Sequence, residues 1–108
     1  MPTAEVFKAL GDPIRLQMVQ RLSGGSSYTI TSVSTELGVT RQGARKHLNI
    51  LEHAKLVVLE PRGRDVLVTL EPATLDTAKA FITTLEKQWV KRLDGLKEFV
   101  EKEHKKSS

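Results

Sequence analysis

The sequence predicts a mainly α-helical domain carrying one small β-hairpin, and three observations predict it. Apolar residues recur at three- and four-residue spacing in separate segments as far as Ala54. Between Leu56 and Leu70 the pattern changes to short runs rich in β-branched residues. From Leu75 to Val100 the helical spacing returns without a break.

Val6, Phe7, Ala9 and Leu10 make a short first helix that stops at Gly11. Asp12 and Pro13 then read as an N-cap and a first helical position, because an aspartate oxygen can accept the free N–H groups there and proline lacks one. In the second helix Ile14, Met18 and Leu22 share a stripe widened by Leu16 and Val19, and Ser23-Gly24-Gly25-Ser26-Ser27 ends it in a loop. Ile30, Val33 and Leu37 predict a third helix over Thr31 to Leu37, closed by Gly38. Thr40 caps a fourth helix that runs to about Ala54 on Ala44, Leu48, Leu51, Ile50 and Ala54. A short helix, a glycine turn and a longer helix form a helix-turn-helix pattern.

Leu56-Val57-Val58-Leu59 and Val66-Leu67-Val68-Thr69-Leu70 read as two strands flanking a basic tip over Glu60-Pro61-Arg62-Gly63-Arg64-Asp65. Pro72 ends the second strand. Leu75, Ala78, Ile82, Leu85, Trp89, Leu93, Leu96 and Val100 then predict one long amphipathic helix. Helix, helix, helix, helix, hairpin, helix is the order of a winged helix-turn-helix.

A chain of 108 residues that is 39% hydrophobic suits one packed domain, expected over residues 1–104 with a C-terminal helix from about 74 to 104, and a disordered tail over 105–108. Its net charge of +4 suits a polyanionic partner, but only the location of the charge can decide that. With no cysteine there is no disulfide, thiolate metal site or cysteine nucleophile. No apolar run approaches the roughly 20 residues that span a bilayer, and Met1-Pro2-Thr3-Ala4-Glu5 lacks the pattern of a signal peptide. A cytoplasmic protein without membrane contact is expected.

The chemistry concentrates on the fourth helix. At about 100° per residue, Ala44, His47, Leu48, Ile50, Leu51 and Ala54 fall on one side, and Arg41, Gln42, Arg45, Lys46 and Asn49 on the other. No acid precedes Glu52 on that polar side. Such a helix can bury one face and enter a major groove with the other, where Arg matches guanine and Gln or Asn matches adenine. Gly43 either lets the backbone approach DNA closely or marks a marginally exposed turn. Arg62 and Arg64 flank Gly63 on the hairpin tip, where cations reach flanking phosphate or the minor groove, with Glu60 and Asp65 diluting them. The DNA-contact candidates are therefore Thr40, Arg41, Gln42, Gly43, Arg45 and Lys46, with Asn49, Arg62 and Arg64 as secondary ones.

His47, His53 and His104 have no partner at metal-ligand spacing, and no phosphate loop, paired carboxylates or nucleophile elbow is present. The expectation is no enzyme, no metal and no cofactor. The apolar stripe of the last helix, with Phe81, Trp89 and Phe99 on or beside it, is too extensive for a small core to cover, so part of it is expected to meet a second subunit. A two-fold dimer would present two recognition helices to successive major grooves and favour an inverted-repeat operator.

The stretches Phe7–Arg15, Leu37–Leu48 and Leu51–Val57 together resemble the ArsR/SmtB winged-helix repressors, over nearly the whole chain. The resemblance implies a homodimer built from the first and last helices, here Val6, Phe7, Leu10, Leu85, Trp89, Leu93 and Leu96, that represses transcription at an operator. It also implies where metal would be sensed. Thr29 and Thr31 stand where thiolate sensors carry Cys-x-Cys, and Asp76 is followed by Ala78 where a histidine would complete the other common site. The chain is thus similar to members without metal sensing, and its effector is unknown. Thr40 matches the family's capping serine, whereas Arg41, Gln42 and Gly43 depart from its common residues and leave the base preference open. The competing reading is a winged-helix protein–protein interaction module.

Overall fold

The computed structural model describes the backbone over residues 3–106 and the side chains over 3–102. Its elements are α1 (Thr3–Leu10), α2 (Pro13–Leu22), β1 (Tyr28–Thr29), α3 (Ile30–Ser34), α4 (Arg41–His53), β2 (Val57–Arg62), β3 (Asp65–Leu70) and α5 (Pro72–Lys106). The mainly helical winged helix-turn-helix fold read from the sequence is the fold observed.

Local chemistry starts the helices where the sequence places them. Asp12 has extended backbone (φ −95°, ψ 132°), and its Oδ1 accepts the N–H groups of Ile14 at 2.8 Å and Arg15 at 3.1 Å. Pro13 occupies the first helical position, where a missing N–H costs nothing. Thr40 caps α4 through Oγ1, which accepts the Gly43 N–H at 2.9 Å.

The third helix is shorter than its apolar spacing predicts: it ends at Ser34, not Leu37. The reason lies in competition for its last carbonyls. Arg21 Nη1 donates to the carbonyls of Val33 and Thr35, while the hydroxyls of Ser34 and Thr35 donate to those of Ile30 and Thr31. The chain then passes through left-handed backbone at Glu36 and Gly38 (φ 65° and 71°), and Leu37 reaches the core from this turn.

The hairpin becomes a three-stranded antiparallel sheet of order β1-β3-β2, because the two-residue β1 pairs Tyr28 with Val68 and Thr29 with Leu67. Its strands are also longer than expected. Arg62 pairs with Asp65, so the connection is the two residues Gly63 and Arg64, with positive φ confined to Gly63 as a II′ turn requires. Glu60, Pro61 and Arg62, expected in the tip, belong to β2. Proline is tolerated there because β2 is an edge strand.

Two compact units emerge, residues 1–78 and 79–108. Among the described residues the first holds the whole buried core, in which Met18, Ile30, Val33, Leu48, Leu51, Leu56 and Val68 are closed to solvent and Ala78 marks the last contribution. Within the second, α5 continues as a helix whose Ile82, Leu85, Trp89, Leu93, Leu96 and Val100 all stand at least 43% exposed. At about 100° per residue these six fall on one narrow stripe. Helix α5 runs through Lys106, so Lys105 and Lys106 lie inside it, and Ser107 and Ser108 of the expected tail lie outside the described residues. Among the described residues no helix is long and apolar enough to cross a membrane.

Candidate nucleic-acid interface

Burial sorts α4 into the two faces its sequence implies. Ala44, Leu48 and Leu51 are fully buried and hold the helix on the core. Arg41, Gln42, Arg45, Lys46 and Asn49 are exposed, as are the wing residues Arg62 and Arg64. Ile50 departs from the wheel: it is 45% exposed, because α4 seats on the core through Leu48 and Leu51 and leaves Ile50 on the rim. It borders an open groove with Glu5, Lys8, Arg15 and His53.

The first turn of α4 has no acid, so its free N–H groups and the helix dipole add to the charge of Arg41, Arg45 and Lys46. Thr40 belongs to this surface through its capping hydroxyl. Gly43 sits directly over that cap. A Cβ there would stand 3.3 Å from Thr40 Oγ1 and 3.8 Å from Val39 Cβ, so a side chain would need the cap to give by a few tenths of an ångström.

Arg41 has partners that sequence reasoning missed. Its Nη1 donates to Thr31 Oγ1 at 2.8 Å, and its Nη2 lies 3.5 Å from Asp65 Oδ1. One guanidinium thereby joins α3, α4 and the tip of the wing, and the wing turn stands beside the first turn of α4. Nothing in the order of residues announces this contact, since it needs the folded hairpin.

His47 is also engaged. Its Nδ1 lies 3.1 Å from Arg15 Nη1 and 3.9 Å from Asp12 Oδ1, and its ring is mostly buried. Arg15 Nε donates to the Ala9 carbonyl at 2.8 Å. Asp12 is held below its ordinary value of 3.8, chiefly by the Arg15 N–H it accepts, against a partial desolvation that works the other way. Among the described residues no three His, Asp or Glu side chains gather as metal ligands would. His104 lies beyond the described side chains.

Comparison with known proteins fits this architecture. The helix-turn-helix domain model HTH_20 matches residues 10–60, from the end of α1 to β2. The solved structure of an ArsR-like transcriptional regulator from Rhodococcus sp. RHA1 superposes with a TM-score of 0.78 at 32% identity, covering 91% of this chain and 89% of that one. The chain belongs to the ArsR family of winged helix-turn-helix transcriptional regulators. As a member of that family it is a DNA-binding regulator of transcription. Two Bacillus subtilis proteins are similar in sequence. The HTH-type transcriptional regulator YuzN is 35% identical over 65 residues, 55% of this chain and 71% of its own length. The transcriptional repressor SdpR is 29% identical over 70 residues, 65% of this chain and 77% of its own.

The dimer candidates of this ArsR-family chain divide between the two units. Phe7 and Leu10 are half-buried against the core, and Val6 is 2% exposed, so its side chain is spent inside its own protomer. Leu85, Trp89, Leu93 and Leu96 are 48%, 60%, 45% and 59% exposed.

Proposed function

We propose that the protein is a homodimeric repressor that binds an inverted-repeat operator, inserting α4 into the major groove and laying the wing against the flanking backbone. The carrying observation is the acid-free exposed face of α4, with Arg41, Gln42, Arg45, Lys46 and Asn49 on the side opposite Ala44, Leu48 and Leu51. A groove-facing helix needs cations and amides near its N-terminus, and carboxylates there would repel phosphate. Arg45 and Lys46 have no acid on their own helix before Glu52, so their charge is available to DNA. Arg62 and Arg64 extend the same charge onto the wing.

Repression is supported by the similarity to SdpR, a transcriptional repressor. The exposed stripe of α5 supplies an apolar face on which a second copy would pack, and Phe7 and Leu10 of α1 are separate candidates for the same role. Neither common metal site has its ligands in the sequence, and the signal that releases the operator is left open. Titrating duplex DNA, including the gene's own upstream region, tests the reading. Affinity should fall steeply with added salt as counterions return to the phosphates. No duplex binding at low salt would overturn it.

A further inference from the structure

We infer that Asp65 is a positioning residue for sequence discrimination: with the Thr31 hydroxyl it holds the Arg41 guanidinium in the orientation that reads a guanine, rather than leaving it to clamp phosphate. This rests on the DNA-reading role proposed for α4.

Two anchors on two different nitrogens define the geometry. Nη1 of Arg41 donates to Thr31 Oγ1 at 2.8 Å, and Nη2 faces Asp65 Oδ1 at 3.5 Å. The anchors belong to α3 and to the start of β3, so the planar group is held from two directions by separate elements. Asp65 is itself fixed, because the same Oδ1 accepts the Val66 N–H at 2.8 Å beside the tight turn. A guanidinium carries five N–H donors, so Nε and one hydrogen on each Nη remain for another partner.

Position gives those donors a target. Arg41 is the first residue of α4, at the end of the helix that enters the groove, and with Ile30, Gln42 and Arg45 it lines an open depression. Guanine presents two acceptors, N7 and O6, that match the arginine fork. An unheld arginine at the same place pairs as readily with phosphate, which carries no sequence information. The Asp65 carboxylate opposes that alternative by repelling phosphate while it orients the cation. With side chains 59% and 37% exposed, the pair adds little to stability, so its effect falls on orientation.

The test uses the full chain. Duplexes bound by the wild type are first selected from random-sequence DNA, and affinities are then measured for the selected duplex and each single-base-pair variant. The wild type should discriminate at one G·C position by about 5- to 150-fold. Asp65→Asn and Arg41→Lys should each reduce discrimination at that same position to within about threefold and leave the other positions unchanged. Asp65→Asn should also raise affinity for unselected DNA. Thr31→Val, which removes the second anchor, should weaken the same position and carries the test should Asp65→Asn fail to fold. Discrimination retained in Asp65→Asn, or lost evenly at every position as a general loosening would cause, overturns the inference. A wild-type chain that binds no duplex removes the DNA reading itself, and the inference with it.

Discussion

Arg15 Nη1 stands 3.1 Å from His47 Nδ1, joining two residues 32 positions apart. A guanidinium can only donate, so this hydrogen bond requires Nδ1 to accept. With Arg15 Nε on the Ala9 carbonyl, one side chain ties the end of α1, the start of α2 and the middle of α4 together. Two of the three stretches that carry the family resemblance, Phe7–Arg15 and Leu37–Leu48, meet at this contact.

Replacing Arg15 by Met keeps the aliphatic stem and removes both donations. Hydrogen bonds to a charged group contribute about 1.5–3 kcal/mol each, and partial solvent access lowers that, so Arg15→Met should cost about 1–2 kcal/mol in all. Urea denaturation would show it as a lower midpoint at unchanged slope. A midpoint that does not move would mean that water replaces both bonds.

Asp12 makes stability depend on acid. Its folded carboxyl titrates below the ordinary 3.8, so its contribution is fully present above that value and disappears as pH falls through the lower, folded one. Asp12→Asn keeps a side-chain acceptor for the cap but cannot titrate. The wild type should be the more stable near neutral pH, and the gap should narrow as pH falls below the ordinary carboxylate value of 3.8. Measuring both denaturation midpoints across that range decides it, and a gap independent of pH would assign the effect to something other than the charge.

Those caps were legible in the sequence because a cap is a local event. Asp12-Pro13 and Thr40 each act within three residues, and the faces of α4 and α5 follow from helical spacing alone. What stayed hidden depends on tertiary structure. Strand β1 is two residues long and has no alternation to detect, and α3 ends where it does because Arg21, from α2, takes its carbonyls. Pro61 reads as a turn residue unless β2 is known to be an edge. The Arg41–Asp65 contact needs the wing to be folded beside α4, so the two faces of α4 were legible in the sequence while the support of its first side chain was not.

Lys55 is a second hidden feature and gives a stability prediction of the opposite sign. It ends α4 in left-handed backbone (φ 63°), with its own N–H on the Glu52 carbonyl and the Leu56 N–H on that of Leu51, the bonding of a Schellman motif. Glycine usually fills this place, since a side chain there costs about 1–2 kcal/mol. Lys55→Gly should therefore stabilise the fold by about 0.5–1 kcal/mol after the greater entropy of unfolded glycine is subtracted. The Lys55 carbonyl would still accept the Thr74 hydroxyl. A lower midpoint in the variant would show that the lysine stem contributes more than its backbone strain costs.

The stripe of α5 provides the test of assembly. Leu85, Trp89, Leu93 and Leu96 recur at three- and four-residue spacing and remain 45–60% exposed, a pattern that keeps a lone chain in contact with water along an apolar face. Covering the exposed half of one such side chain yields about 0.8–1.5 kcal/mol, and a two-fold axis would count each of them twice. Leu93→Glu both forfeits that gain and places a carboxylate in the covered face. It should weaken self-association by about 100-fold or more, since each 1.4 kcal/mol is a factor of ten. Leu93 lies outside the buried core, so the variant protomer should keep its helical circular dichroism. Sedimentation at matched concentrations would then show a dimer for the wild type and a monomer for the variant. The thermal midpoint should rise with concentration only in the wild type. A wild-type chain that sediments as a monomer would remove the dimer, and with it the reason to expect an inverted-repeat operator.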